Sequence, residues 1–464
     1  MKLNLRNIIT GFCLLTIAPA CDDFLEVHPK GEVLDDEMFS TAKGYENALY
    51  GVYGSMRSND LYGRNLTYYT LDVMAQYFNF TSQDDYVTPL RQFQYKETAV
   101  KAGFLTIWSQ MYTAISNVNN VLKHLDNTSA DQLKYYDIYK GEALGLRAFL
   151  HFDLARLFCE QNMDPQTAGI PYNTQFSLEE PRHRKLQEVY QCIVNDLREA
   201  EKLLDNPELY ASNPSYAFLK DRKIHFNLNA VRATLARVYL TQENTDSALY
   251  YARTVIASPD HHLTQRTKIA FNGQLSPGET IFGLYSKTLY TTTLNELYKL
   301  ISYQSLALRT DIKNRYTSIP GNDYRWNAWF KTDGESPCLK KLTDDYQLNT
   351  NLVRPDSLIP GINLIRLPEM YYIVAECLLK KNDPEATGYF RTVLNSRMEL
   401  SAYPELNITN LTEERFKEFI GEGQQFYHLK RLNLNILSTT GENIPASKAI
   451  FTPDIPEEEF NYRN

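Results

Sequence analysis

The chain has 464 residues, enough for a large core and, by length alone, for two or three domains. Its formal charge is −8; once a leader carrying Lys2 and Arg6 is removed, 46 basic residues face 56 acidic ones, or −10. With no basic field and no Lys/Arg block, nucleic acid is excluded as a partner. The 33 Tyr are far above the usual share and suit wet binding surfaces as well as cores.

Lys2 and Arg6 precede an apolar run from Ile8 to Ala18, about eleven residues and too short to span a bilayer of roughly 30 Å. Residues 1–20 therefore read as an export signal. Cys21 follows Ala18-Pro19-Ala20 directly, which marks a bacterial lipoprotein processing site with Cys21 as the acylated first residue. Residues 21–464 read as a single domain. Residues 42–56 carry Tyr45, Leu49, Val52 and Tyr53 on one helical face. Residues 57–100 are loop-rich and aromatic, with Tyr68, Tyr69, Tyr77 and Phe78 set among polar residues.

Amphipathic helices follow over 104–125, within 130–160, and from Arg184 to near Leu204. In the second of these, Glu142, Arg147 and Asp153 interrupt an apolar pattern and read as paired structural groups. The stretch 224–259 then gives two short helices. Leu228, Val231, Leu235, Val238 and Tyr239 form one stripe, Gln242-Glu243-Asn244 breaks it, and Ala248, Ala252, Val255 and Ile256 form the next before Pro259. The small-aromatic spacing predicts an antiparallel hairpin of the tetratricopeptide kind, without that repeat's Trp and Gly. From 260 to 365 the helical period fades into Thr, Tyr, Asn and Gly, with Pro320, Pro337, Pro355 and Pro360 as breaks. An irregular segment of that length inside a helical protein is usually functional. Helices return at Arg366 and run, with breaks, to Arg431.

Several blocks carry a family likeness. The opening CDDFLEVHPKGEVLDDEMFSTAKGYENALYGVY, the helix with Trp108, Tyr112, Ile115 and Asn119, and the run GEALGLRAFLHFDLARLF are three of them. The helix around Glu188, Val189 and Tyr190, the helix LPEMYYIVAECLLKK, the block EERFKEFIGEGQQFYHLKR and the Pro-rich ending complete the set. Taken in order, they resemble the SusD/RagB family of outer-membrane nutrient-binding lipoproteins of Bacteroidetes, over nearly the whole chain after Cys21. Gln425 and His428 depart from the Arg and Asp usual in their block, so the ion pair those would make is absent or rewired.

The resemblance implies a mainly α-helical fold of tetratricopeptide-like hairpins with a large loop-rich insert. It also implies a lid, held at the cell surface by lipid on Cys21, over a SusC-like TonB-dependent outer-membrane transporter. The cargo would be oligosaccharide, or peptide as in the RagB branch. No hydrolase, Walker or dinucleotide motif occurs, and no cofactor or metal set is read from the spacing of Cys and His. Cys159, Cys192, Cys338 and Cys377 are scattered and read as buried free thiols on helices, with a disulfide among them as the alternative. A surface glycoside-degrading enzyme and a ligand-free helical adaptor are the rival readings. Asp323, Tyr324, Arg325, Trp326 and Trp329 put rings and hydrogen-bonding groups side by side in the insert. With Tyr68, Tyr69, Tyr77 and Phe78 they are the candidate ligand contacts, and the segments 57–100 and 260–365 are expected to gather around the ligand.

Overall fold

The computed structural model describes residues 35–460 apart from 81–83, 162–163, 178, 180–181, 208–209, 211–215, 301–304 and 333–335. Cys21, the leader and residues 461–464 lie outside the described residues. Ten helices carry the scaffold: α1 Ala42–Met56, α2 Thr98–Asp126, α3 Tyr136–Phe158, α4 Leu186–Leu204, α5 Leu228–Thr241, α6 Thr245–Ile256, α7 Leu367–Lys380, α8 Ala386–Asn395, α9 Ile408–Glu418 and α10 Gln424–Arg431. From α2 to α8 each helix packs on the next in the chain, so the stack is continuous although about a hundred residues intervene between α6 and α7.

The hairpin α5–α6 forms where the apolar stripes place it. Asn227 caps α5 by accepting from the Ala230 amide, and Asn244 caps α6 by accepting from the Ser247 amide. Between them Glu243 turns the chain with φ of +59°. Val231, Ala233, Leu235, Ala236, Val238, Ala248, Tyr251, Ala252 and Val255 are buried. Helix α3 is buried on all sides and crosses its neighbours closely through two glycines. A Cβ on Gly141 would stand 2.6 Å from Leu204 Cγ, and one on Gly145 would stand 2.4 Å from Phe226 Cδ1.

The polar residues of α3 are paired, as their apolar setting demands. Glu142 accepts from the Tyr53 hydroxyl at 2.7 Å, from His225 Nδ1 at 3.2 Å and from Arg222. Burial pushes this carboxyl up, but Arg222 and His225 outweigh it and hold it down to about 2. Arg147 makes a two-pronged pair with Asp196 at 2.7 and 2.8 Å, and Asp153 pairs with Arg156 and accepts from Tyr62. Cys159, Cys192, Cys338 and Cys377 are all free thiols.

The insert is more ordered than its composition suggests. Strands β2 Gln274–Leu275 and β3 Thr280–Tyr285 flank β5 Ile359–Arg366 in an antiparallel sheet. The first aromatic segment contributes β1 Phe78–Phe80, which pairs with β4 Leu306–Leu308 of the insert. The segment 57–100 and the insert, far apart in sequence, therefore meet through a main-chain ladder. Among the described residues no helix is long and apolar enough to cross a membrane.

Candidate functional site

The meeting of the two loop-rich segments is organised by residues 289–300. A short helix, Leu289–Thr293, runs into one π-helical turn, Leu294–Tyr298, and the chain leaves it through Leu300 at φ of +50°. A π turn and a left-handed leucine are both costly, the latter by about 1–3 kcal/mol, and such geometry concentrates at ligand-facing segments. The turn is over-determined from both sides. Glu296 accepts from Tyr68 Oη at 2.7 Å and from Arg64 Nε at 2.9 Å, both in the first segment. Thr293 Oγ1 donates to the Leu342 carbonyl at 3.1 Å, and Lys331 Nζ lies 4.9 Å from the centre of the Tyr298 ring. Gln347 Nε2 donates to the Lys287 carbonyl at 3.3 Å and Arg57 Nη1 to the Tyr285 carbonyl at 3.4 Å.

This framework leaves Tyr285, Tyr290, Tyr298 and Tyr346 partly open to solvent, Tyr285 at 37%. Tyr290 and Tyr298 lie on the clamped segment itself, Tyr285 precedes it, and Tyr346 is next to Gln347, whose amide reaches the Lys287 carbonyl; together the four are termed the tyrosine ridge. The Arg64 guanidinium that holds Glu296 lies 3.3 Å from the Tyr69 ring centre, and Tyr69 stacks on Tyr86 with centroids 5.8 Å apart and planes within 6°. Burial raises the Tyr68 and Tyr69 hydroxyls above their ordinary range, Tyr68 well above it. Tyr68 acts as a neutral donor to Glu296, and Tyr69 supplies packing surface.

The residues expected to touch ligand are placed differently. Tyr68, Tyr77 and Phe78 are fully buried and Tyr69 nearly so. Tyr77 donates to the Phe416 carbonyl at 2.7 Å and stacks on the Phe416 ring at 4.1 Å. Trp326 stacks on Phe330 at 4.8 Å. Trp329 donates its indole N–H to the Ile269 carbonyl at 3.2 Å and borders a cavity of about 40 Å³, room for ordered water and too small for a sugar ring. Asp323 and Arg325 are buried and paired with each other. These eight side chains are buried and hold the segments in place through such contacts. Tyr324 is the exception, half-open with its hydroxyl 3.2 Å from Glu399. The ridge tyrosines were not among the sequence candidates; the signal that could have found them is the run of seven tyrosines within 260–365, where helical period fades.

Under the insert lies a charge lattice that ties it to the last helices. Arg325, Lys341, Arg366, Arg397 and Lys417 interleave with Glu279, Asp323, Glu414, Glu418 and Glu422, five cations against five acids. Glu418 lies at its centre, contacted by three arginines. Burial pushes this carboxyl up, and Arg397 and Arg366 overcome that and bring it far below the usual range. Burial brings Lys341 down to about 8 despite Glu422 at 2.7 Å. Gly421 and Gly423, both with positive φ, aim their amides at the Asp72 carboxyl at 2.6 and 3.1 Å. This joint bolts the first aromatic segment to the lattice. The departures at Gln425 and His428 are rewired onto Thr412: Gln425 Nε2 contacts its carbonyl at 3.5 Å and His428 Nε2 its hydroxyl at 2.9 Å. Among the described residues no cluster of metal-ligand type occurs.

The described residues thus form a stack of helical hairpins that carries loop-borne aromatics over a lattice of paired buried charges. Comparison with known proteins makes the class specific. A family model described as "SusD-like_3: Starch-binding associating with outer membrane" matches residues 23–240, and one described as "SusD family" matches residues 278–463. The SusD-like protein P2 of Formosa agariphila is 26% identical over 53% of this chain and 45% of its own length. The chain spans about half the length of the curated relatives it matches. A SusD superfamily structure from Bacteroides thetaiotaomicron superposes with a TM-score of 0.76 at 22% identity, covering 91% of this chain and 98% of the other. A surface glycan-binding protein A from the same species gives a TM-score of 0.69 at 18% identity, with 91% and 98% covered. The chain belongs to the SusD/RagB family, whose members are binding proteins rather than catalysts.

Proposed function

We propose that this protein is a cell-surface lipoprotein, anchored through Cys21, that captures oligosaccharide on the tyrosine ridge and passes it to a SusC-like TonB-dependent transporter. The observation that carries the reading is the ridge itself. Tyr290 and Tyr298 carry partly open rings on the segment clamped by Glu296, Arg64 and Tyr68, with Tyr285 before it and Tyr346 on the stretch tied to Lys287. Sugars stack their C–H faces on such rings while nearby polar groups take the hydroxyls. The family descriptions and the glycan-binding neighbour support the ligand class.

A glycan microarray followed by calorimetry on the hit tests this. Tyr290→Ala and Tyr298→Ala should each weaken binding about tenfold and leave Tm within a few degrees, because the rings stand at the surface. Binding unaffected by both, or the absence of any glycan hit alongside a peptide hit, overturns it.

A further inference from the structure

A second cleft, sharing no lining residue with the ridge, opens beside the last two helices. It encloses about 650 Å³, within the roughly 300–1,000 Å³ usual for small-molecule sites. Its walls are α9, α10, the hairpin Ile436–Leu437/Asn443–Ile444, and the side chains of Arg309 and Arg315. Arg309 fastens the hairpin by donating to the Leu437 carbonyl at 3.3 Å and the Ser438 carbonyl at 3.1 Å.

Three features define what it would hold. Its charges cancel: Arg309 and Arg315 both pair with Asp311, and Arg315 also pairs with Glu413. One side is apolar, with Leu434, Ile436 and Leu437, and Leu437 is 45% exposed at the lip. Finally, Gln425 lines the cleft at 2% exposure with an unsatisfied acceptor. Its Nε2 donates to the Thr412 carbonyl at 3.5 Å, which fixes the amide, and its Oε1 has no partner. A buried amide oxygen without a donor is rare in folded proteins and calls for one.

We propose that this cleft is a second ligand site, for a neutral hydroxyl-bearing molecule of one or two sugar rings. A ligand hydroxyl donates to Gln425 Oε1, and the apolar face of the ring lies along Leu434 and Leu437. Compensated charges disfavour uronates and free amino acids, which bring a charge with no partner left for it.

The test is saturation-transfer NMR and calorimetry on the mature chain, with maltose and cellobiose as neutral probes and glucuronate and glycylglycine as controls. The double variant Tyr290→Ala/Tyr298→Ala serves as the background in which ridge binding is weakened about a hundredfold. In that background a neutral disaccharide should still bind. Thr409→Trp, which fills the exposed rim, and Gln425→Met, which removes the orphan acceptor, should each weaken it about tenfold. Gln425→Met should do so with Tm unchanged or raised, since the apo protein loses an unsatisfied group. The inference is overturned if no neutral disaccharide binds in the background, if neither substitution alters binding, or if a control binds in a manner sensitive to Thr409→Trp. Each outcome leaves the ridge to be judged by the wild-type chain alone.

Discussion

Trp326 and Glu142 show how much a single side chain here depends on partners distant in sequence. Trp326 stacks on Phe330 and packs near Tyr316, leaving 8% of its surface open. Trp326→Ala should therefore cost about 3–5 kcal/mol of stability, read as a drop in denaturant midpoint. Any loss of ligand binding should vanish at temperatures where the variant is fully folded. Glu142 carries a pH signature. Its folded value of about 2 lies below the ordinary 4.5, so its contribution is present above pH 4.5 and is lost as pH falls toward 2. The shift corresponds to about 3 kcal/mol. Glu142→Gln should lower Tm at neutral pH and flatten the acid limb of the Tm–pH profile; an acid limb identical to wild type would contradict the pairing. The same dependence explains what the sequence hid. Tyr68 looks like a loop tyrosine among polar neighbours, yet its hydroxyl partner stands 228 residues away, and that of Tyr77 stands 339 away. No local window contains either acceptor.

At the scale of elements, the helices were legible because amphipathic period is local. The stripe from Leu228 to Tyr239, the break at Gln242–Asn244 and the face from Ala248 to Ile256 each map onto the structure within a residue or two. Strands β1 and β4 were not legible, since three-residue strands paired across more than two hundred positions leave no periodic trace. The scaffold depends on close approach. Gly145→Val should force Phe226 aside and destabilise the chain by about 1–3 kcal/mol or more, whereas the same change at Gly51, where a Cβ meets nothing within 4 Å, should cost only helix propensity. Glycine substitutions with equal effect at both sites, measured by thermal unfolding, would mean that α3 does not pack as described. The clamp on the ridge is the other critical element. Glu296→Gln removes the charge that holds Arg64, and should raise protease sensitivity within 289–300 and weaken glycan binding while leaving the helical signal in circular dichroism intact.

Across the whole molecule, the division of labour follows from where order is cheap and where it is costly. Consecutive helices bury a continuous core with short connections, and the two long connections are free to carry side chains outward. The charge lattice and the Asp72 joint then hold those connections to the scaffold, so that a strained turn can stay in one conformation and present its tyrosines without a bound partner to shape it. The proposed role as a transporter lid calls for a face that keeps its shape without ligand.

The most direct measurement is purification of the native protein from its membrane in mild detergent, followed by mass spectrometry of the whole preparation. The account predicts a large barrel protein in about equal amount, a Cys21 carrying lipid, and glycan retained by the complex. A protein that emerges alone with Cys21 unmodified would contradict it.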